Sequence, residues 1–593
     1  MRQKILEGKK LEWSILVLFA VSYIIITIFH EPWFDEAQAW QLAKNVSLKD
    51  LFLETPHYEG HPPLWWLILA IPAKLGVSFE LGLKTIGFII SIATVYIILF
   101  RSKLSRIARL LLPFSFFVFY QYGVIVRPYG LMLLLLILLG QEYPKRNVHP
   151  WRFAILLIIL CLTSAYGIVI AGGVAICMVW EIIKEKGMKK SFYEIISDNR
   201  SRSLLVLLLV AIVLILEIMP REDTWVTSAT GQNSRLICLL CTVFTFLGDC
   251  IFTDSYWFKI DTVLLQNAYI PIPSLIAYCG LGVIIWILIV SAGSKRNLKL
   301  FVLPYLFFSI FSAFVYVSAH HLGIALAILL FWLEIDARDE DRFEIGKIIM
   351  GKICHSERDV NLLKKCVSLF AMACLLIPIY WTISASFRDI KYEYGYGRSA
   401  SAFIENNQLD DCLFLSSWGE NSSEYYGEKI GHDDYLNTDE NGNPVLICAY
   451  LEHNIFFNLG DGSDNDAYMH FSMADYETSQ SVMAEWASLG YPDALLGKPD
   501  LEALYGNNLS YDDYSLVFVS DFKYVWKNQE YNASLPIFLR NDLLEGYGLE
   551  PKNAIEYTHI TGLRVTDEMR KEYEDGTPIE EVIKPYLDAL FGE

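Results

Sequence analysis

Long apolar runs fill residues 12–384 of the chain, and almost none occur afterwards. A helix that crosses the hydrocarbon layer of a bilayer needs roughly 20 apolar residues, within a range of about 17–25. By that measure the pattern predicts spans at 12–29, 82–100, 108–126, 129–141, 153–166, 167–183, 203–219, 272–293, 299–317, 321–335 and 366–384. Two weaker segments lie at 62–76 and 237–253. Several of these runs are short, which predicts tilted or partly buried helices. The expected fold class is an α-helical polytopic membrane protein of 11–13 hydrophobic segments with a C-terminal α/β domain, the units dividing at 1–384 and 385–593.

After residue 385 the pattern changes. A helical pattern over 399–407 precedes a strand-like run at 412–416. Further short apolar runs at 445–449 and 516–520 alternate with helical stretches around 478–489 and 534–545, as in a small α/β domain. Segment 419–444, rich in Gly, Asn, Asp and Glu, reads as loop. Neither a glycine-rich phosphate loop nor a nucleophile elbow is present there, which points to a supporting or acceptor-binding role.

Charge divides at the same place. From residue 385 onward 39 acidic residues stand against 13 basic ones; the formal total is −19, so the preceding part is net basic. The acid load excludes nucleic acid as a partner. Lys9-Lys10 before the first apolar run read as the start of a membrane helix, because many spans follow and no small-residue cleavage site is evident. Most of the 11 cysteines lie in apolar runs, where cysteine acts as a small hydrophobe, and this applies to the Cys238/Cys241 pair. Cys412 and Cys448 are close enough in type and context to pair across the tail, which spacing alone does not decide.

Orientation follows from the short loops, since Lys and Arg concentrate on the cytoplasmic side. Basic clusters at the N-terminus, at 101–109, 145–152, 184–190 and 295–299, and in the 338–365 linker can all share one side if 62–76 and 237–253 do not cross. That gives 11 spans; crossing by both gives 13. In either case the N-terminus is cytoplasmic and the tail extracytoplasmic. Under the 11-span reading, Asp35, Arg127-Pro128-Tyr129, residues 221–236 and His320-His321 all fall on the outer side.

The loop over 30–61 carries Trp33-Phe34-Asp35-Glu36-Ala37 and ends in Tyr58-Glu59-Gly60-His61-Pro62-Pro63-Leu64-Trp65. Adjacent carboxylates at a membrane surface are costly unless solvated, paired or used. An ordinary solvated interfacial loop with an aromatic belt is one reading; a carboxylate placed to take a proton from a substrate hydroxyl is the other. The two blocks together resemble the first outer loop of GT-C glycosyltransferases, closest to the protein O-mannosyltransferase and lipid A aminoarabinose transferase group. The resemblance covers roughly residues 10–140. It implies an integral membrane enzyme that uses a polyprenyl-phosphate-linked sugar on the outer face, with Asp35 as catalytic base and Glu36 positioning it or a metal. A divalent cation beside Asp35 and Glu36 is compatible with the pattern without being required. Glu59 and His61 fall in the substrate-binding part of the motif; His61 matches the mannosyltransferase form where the aminoarabinose transferases have lysine.

Two further constellations lie between spans. Arg127 either snorkels to lipid headgroups or holds two phosphate oxygens with its guanidinium. A transferase that releases polyprenyl phosphate needs positive charge where the leaving oxygen becomes anionic, and arginine followed by tyrosine, as in Arg127 and Tyr129, occurs in related bacterial membrane transferases. His320-His321 are either an interfacial pair or hydrogen-bond donors to phosphate or sugar; the resembling family often has Arg-His there. Adjacent histidines alone are not a zinc signature. Arg221-Glu222-Asp223 and Trp225 are acceptor-site candidates.

The reading that joins these observations is an inverting transfer of a sugar from a polyprenyl-phosphate donor to an extracytoplasmic lipid, glycan or protein acceptor, at the cell membrane and in contact with the lipid bilayer. The alternatives are a transporter or lipid flippase, and a non-catalytic cell-envelope scaffold. Few charges lie within the spans and no internal repeat is visible, both of which speak against transport.

Overall fold

The protein was analysed as a computed structural model. It describes residues 9–186, 197–224, 235–251, 272–339, 343–354, 356–417, 443–460, 462–472, 480–497 and 499–552, with a few isolated residues beyond. Each predicted span has a helix. Among the described residues seven stretches are long and apolar enough to cross a membrane: Lys10–Phe29, Phe79–Phe100, Arg106–Val124, Ala165–Lys186, Asn199–Ile218, Ala319–Asp336 and Glu357–Lys391. Shorter apolar helices include Pro150–Cys161, Lys299–Phe314 and Pro128–Glu142. The chain is therefore a multi-pass helical membrane protein. Close approach between spans depends on small residues: a Cβ on Gly173 would stand 2.7 Å from Cα of Pro304 in the neighbouring helix.

The basic loops meet at one end of the bundle, tied by ion pairs. Arg106 pairs with Glu12 at 3.1 Å, Arg152 with Glu142 at 3.1 Å, and both Arg146 and Lys299 reach Glu181, at 2.6 and 2.8 Å. Arg296 pairs with Asp339 at 3.0 Å, and the Ser294 N–H donates to Asp336 at 3.0 Å. Loops far apart in sequence are thus neighbours at the end that also holds Lys10.

The two weaker segments return to the end they start from. The Leu64–Lys74 helix has 11 residues, about 16 Å at 1.5 Å per residue, roughly half the ~30 Å hydrocarbon layer. Lys74 at its end donates to the carbonyls of Lys44 and Val46, at 3.1 and 2.7 Å, and Lys44 itself donates to Glu452 O at 3.1 Å. The next helix starts at the same level, where Glu80 accepts from Tyr450 at 2.5 Å. The other segment forms two short helices, Arg235–Phe244 and Phe246–Asp249. Its start lies beside Phe314, with the Arg235 guanidinium 5.3 Å from that ring, and its end packs on the Ala319–Leu322 turn. Both segments are too short in the described residues to match the seven long spans, as the 11-span alternative expects.

The last span runs unbroken to Lys391, and a four-stranded sheet follows in the order β1-β2-β4-β3. Strand β1 (Phe414–Ser416) pairs parallel with β2 (Ala494–Leu496). Strands β3 (Tyr514–Trp526) and β4 (Gln529–Arg540) form a long antiparallel hairpin, β4 joining it to β2. Helices Gly397–Asn406 and Gln480–Ser488 stand where the pattern predicts them. Two elements differ. The run 445–449 belongs to the helix Asn443–Leu451, buried over Val445–Ala449, where continuous burial erases the periodicity that separates helix from strand. The 534–545 stretch is mostly β4, its pairing with β2 and β3 overriding local preference. Most of 419–444 lies outside the described residues. Cys412 and Cys448 are both free and buried, Cys412 against the Tyr547 hydroxyl at 3.2 Å and Cys448 against Asn454.

The hairpin tip enters the helical bundle. Trp526 packs on Phe116 and Phe117, with ring centroids 5.5 and 6.0 Å apart. Lys527, fully buried with φ 57°, occupies the first position of the two-residue turn, a conformation that favours glycine. Its amine donates to Asp249 O at 2.7 Å and Oδ1 at 2.8 Å and lies 4.6 Å from the Trp381 ring centroid. Removing one member strands a buried charge. Lys527→Ala is therefore expected to cost about 3–5 kcal/mol, seen as an earlier thermal unfolding transition in detergent, with most of the loss recovered in Lys527→Met/Asp249→Leu. In a cysteine-light background, cysteines at 74 and 545 should react alike with an impermeant maleimide, and those at 103 and 147 should react from the opposite side. Grouping of 74 with 103 would show that 62–76 crosses.

Candidate functional site

The first span ends at His30, whose Nδ1 meets Asp389 Oδ2 at 2.9 Å, while Tyr120 donates to Asp389 Oδ1 at 2.8 Å. A short extended segment leads to the helix Phe34–Asn45. Glu36 sits at its third position and accepts two backbone N–H groups: Trp33 at 3.1 Å, closing the helix start, and Val126 at 2.6 Å. Burial pushes the Glu36 carboxyl above its ordinary range, and these N–H groups with nearby His30 and Arg127 offset part of that rise. Glu36 thereby fastens the helix carrying Asp35 to the segment carrying Arg127.

Arg127 follows a π-helical turn, Phe117–Val124, of which every residue is buried. Such turns are rare and concentrate at functional sites. Extended at Arg127 and restarted by Pro128 at the first helical position, the chain aims the guanidinium back towards Asp35. The two side chains form a short ion pair, Arg127 12% exposed and Asp35 31%. The guanidinium also lies over the rings of Trp33 and Tyr129, 5.4 and 5.5 Å from their centroids.

Behind Tyr129 stands the histidine pair. Its hydroxyl is 2.7 Å from His321 Nε2, while the backbone N–H of Ser318 donates to His321 Nδ1 at 2.9 Å. A backbone N–H is a donor only, so Nδ1 accepts and Nε2 carries the ring proton. Nε2–H then donates to Tyr129, whose own hydroxyl proton is left for another acceptor. His320 packs on His321, with ring centroids 4.0 Å apart, and turns its edge to Trp33.

These groups line one cavity of about 540 Å³. Asp35, Glu59, His61, Arg127, Tyr129, His320 and His321 all contribute to its wall; Glu36 does not. Glu59 is recessed, its Oε1 accepting from Gln38 at 2.8 Å, and its removal from bulk water pushes its carboxyl up to about 7. The same effect, then Arg127, brings His61 down to about 4, so it is neutral at pH 7, and its Nδ1 has no partner. Apolar side chains complete the lining: Ile215, Ile218 and Met219 at the end of one span, Phe311 and Val315 at the end of another. Thr224 also faces the cavity, beside an Asp223–Tyr58 hydrogen bond of 3.1 Å; Trp225 lies outside the described residues.

A divalent cation held jointly by Asp35 and Glu36 does not fit this geometry. Both Glu36 oxygens face backbone N–H groups away from the cavity, leaving Asp35 alone of that pair on its wall. Among the described residues no group of three or more His, Cys, Asp or Glu side chains is arranged to hold a metal. Three further residues complete the site. Gln38 follows Asp35 by one helical turn, a spacing that marks it as facing the same way. Trp33 has the sequence context of an aromatic belt and here lies under the Arg127 guanidinium. Phe471 comes from the C-terminal region, and no local signal assigns it.

No family model and no curated protein matches the sequence. Among solved structures the chain is similar to ArnT from Cupriavidus metallidurans, crystallised with undecaprenyl phosphate. Identity is 11%, with 88% of this chain and 97% of that one covered, at a TM-score of 0.44.

Glu36→Ala is expected to leave two backbone N–H groups, that of Val126 buried and that of Trp33 partly so, without an acceptor and to cost about 2–6 kcal/mol, since each unsatisfied group costs roughly 1–3. Glu36→Gln should retain more than half of that. Thermal unfolding in detergent checks both; equal stability of Glu36→Ala and wild type would remove Glu36 from the framework.

Proposed function

We propose that this protein transfers a sugar, a hexose or pentose, from a polyprenyl-phosphate carrier to a hydroxyl of an extracytoplasmic lipid, glycan or protein acceptor. The observation that carries this reading is the polarity of the cavity. Its lining combines an arginine, carboxylates and neutral hydrogen-bonding rings with apolar side chains from the ends of two spans. A lipid-linked sugar phosphate brings the matching groups: prenyl chain, phosphate and sugar. The resemblance of the 33–37 and 58–65 motifs supports the same class.

The residues then divide as follows. The donor phosphate docks on Arg127, which offers two parallel N–H donors, and the Tyr129 hydroxyl proton supplies a further hydrogen bond. His61 and His320, as neutral rings, contribute hydrogen bonds to the sugar phosphate. Capture of the phosphate draws Arg127 from Asp35 and frees that carboxylate. Asp35 accepts the proton of the acceptor hydroxyl as its oxygen attacks the anomeric carbon; the bond from that carbon to the phosphate oxygen breaks, and polyprenyl phosphate leaves against Arg127. A single displacement inverts the anomeric centre. The basic end of the bundle faces the cytoplasm under the positive-inside rule, which puts the cavity on the outer side.

Proteoliposomes supplied with a panel of undecaprenyl-phosphate-linked hexoses and pentoses, and with cell-envelope lipids and glycans as acceptors, test the proposal through release of undecaprenyl phosphate. General-base catalysis contributes roughly 10²–10⁴-fold, so Asp35→Asn should lose about that much turnover, and Arg127→Lys should raise the donor KM. Wild-type turnover by Asp35→Asn would overturn the assignment of the base.

A further inference from the structure

The C-terminal region supplies part of the cavity wall. Its segment 466–472 lies across the Phe34–Asn45 helix, and Phe471 faces the cavity. Two backbone-level fastenings hold it. Ser472 forms an antiparallel bridge with Thr224, from the loop after the Asn199–Ile218 span. Met469 is gripped by the side chain of Gln38: its N–H donates to Gln38 Oε1 at 2.9 Å and its carbonyl accepts from Gln38 Nε2 at 2.8 Å.

That second contact fixes the side-chain amide. A backbone N–H only donates and a carbonyl only accepts, so the two faces of Met469 decide which end of the amide is oxygen and which is nitrogen. The remaining Nε2 hydrogen then points at Glu59 Oε1, 2.8 Å away. Buried Gln38 thus has both N–H groups and its oxygen engaged. If the strap lifts, the amide loses its reference and can turn its oxygen towards Glu59, which an anionic carboxylate disfavours and a protonated one accepts. Strap position and the charge on Glu59 are therefore linked, each favouring the other reciprocally.

We propose that Gln38 is a positioning residue that couples closure of the 466–472 strap to Glu59, so that the C-terminal region, on closing over the cavity, holds this second carboxylate ionised and aimed at the acceptor side. The coupling rests on the transferase reading for its role in turnover. The groups that face Glu59 are Asp35 and Gln38 from the Phe34–Asn45 helix, Arg127 ahead of the Pro128–Glu142 helix, and His470 from the strap itself. His61 lines the cavity with it, and Tyr58 beside it bonds Asp223. Asp35 opposes a second negative charge, whereas Arg127 and His470 favour it.

The sign follows from these partners. Glu59 is raised to about 7, so a step that needs its anion weakens as pH falls through that value. Loss of the Gln38 donor moves the midpoint further up. The test uses the full-length protein in phosphatidylethanolamine–phosphatidylglycerol proteoliposomes with the undecaprenyl-phosphate sugar that turns over. Wild type should lose activity with a midpoint near 7, and Glu59→Gln should lack that limb. Gln38→Leu should shift it upward by about one pH unit, a tenfold change in the proton equilibrium. Met469→Pro, which removes the strap's N–H without touching Gln38 or Glu59, should shift it likewise. Independently of turnover, amide exchange within 462–472 should quicken about tenfold in Gln38→Leu. An unmoved acid limb in both variants, or unchanged exchange in 462–472, would overturn the coupling. The exchange difference without turnover from any donor would uphold the strap contact and count against the transferase reading instead.

Discussion

A guanidinium at the level of span ends has to be compensated, and much of the site follows from how this chain compensates Arg127. Taking a charge out of water costs several kcal/mol unless it is paired and hydrogen-bonded. Here the compensation is shared among Asp35, the faces of Trp33 and Tyr129, and a framework that keeps them in place. Glu36 is the hinge pin of that framework, because its two oxygens join the start of one helix to the strand-like approach of another. The same arrangement makes Arg127 an exchangeable partner. A phosphodiester arriving from the lipid side offers two anionic oxygens to the same donors that the carboxylate occupies.

Much of the framework was legible in the sequence because a bilayer imposes one length scale on every span. The apolar runs marked each helix, and the basic loops sorted the ends; the ion pairs of Glu12, Glu142 and Glu181 with those loops show why the sorting works. The convergence of Asp35, Arg127, Tyr129 and the two histidines also followed from sidedness alone. The division between Asp35 and Glu36 came from the resemblance alone, because the two residues themselves do not show which one meets the cavity. Adjacent residues on a helix point about 100° apart, and which of them meets the cavity depends on the N–H of Val126, 90 residues away. In the C-terminal region, Asn443–Leu451 and β4 misled for a different reason: short, fully buried segments carry no periodicity to read.

The two halves of the chain are one machine in structural terms. The sheet's longest hairpin penetrates the bundle, and the 466–472 segment reaches the cavity from above. The acidic tail is thus both anchored from beneath, through Trp526 and Lys527, and engaged with the site from its rim, through Met469 and Phe471. Under the proposed coupling, chemistry at the donor phosphate and recognition at the acceptor meet at the Phe34–Asn45 helix, whose one face carries both Asp35 and Gln38.

The turn at Lys527 has a consequence for biosynthesis. Asp249 and Lys527 are 278 residues apart in the chain, yet each is the other's buried counterion. During synthesis from the N-terminus, Asp249 is made and set beside the nascent bundle long before its partner exists. The membrane half therefore holds Asp249 without this counterion until the hairpin has been made and folded back. A chain truncated before residue 527 therefore leaves Asp249 without this counterion inside the membrane domain.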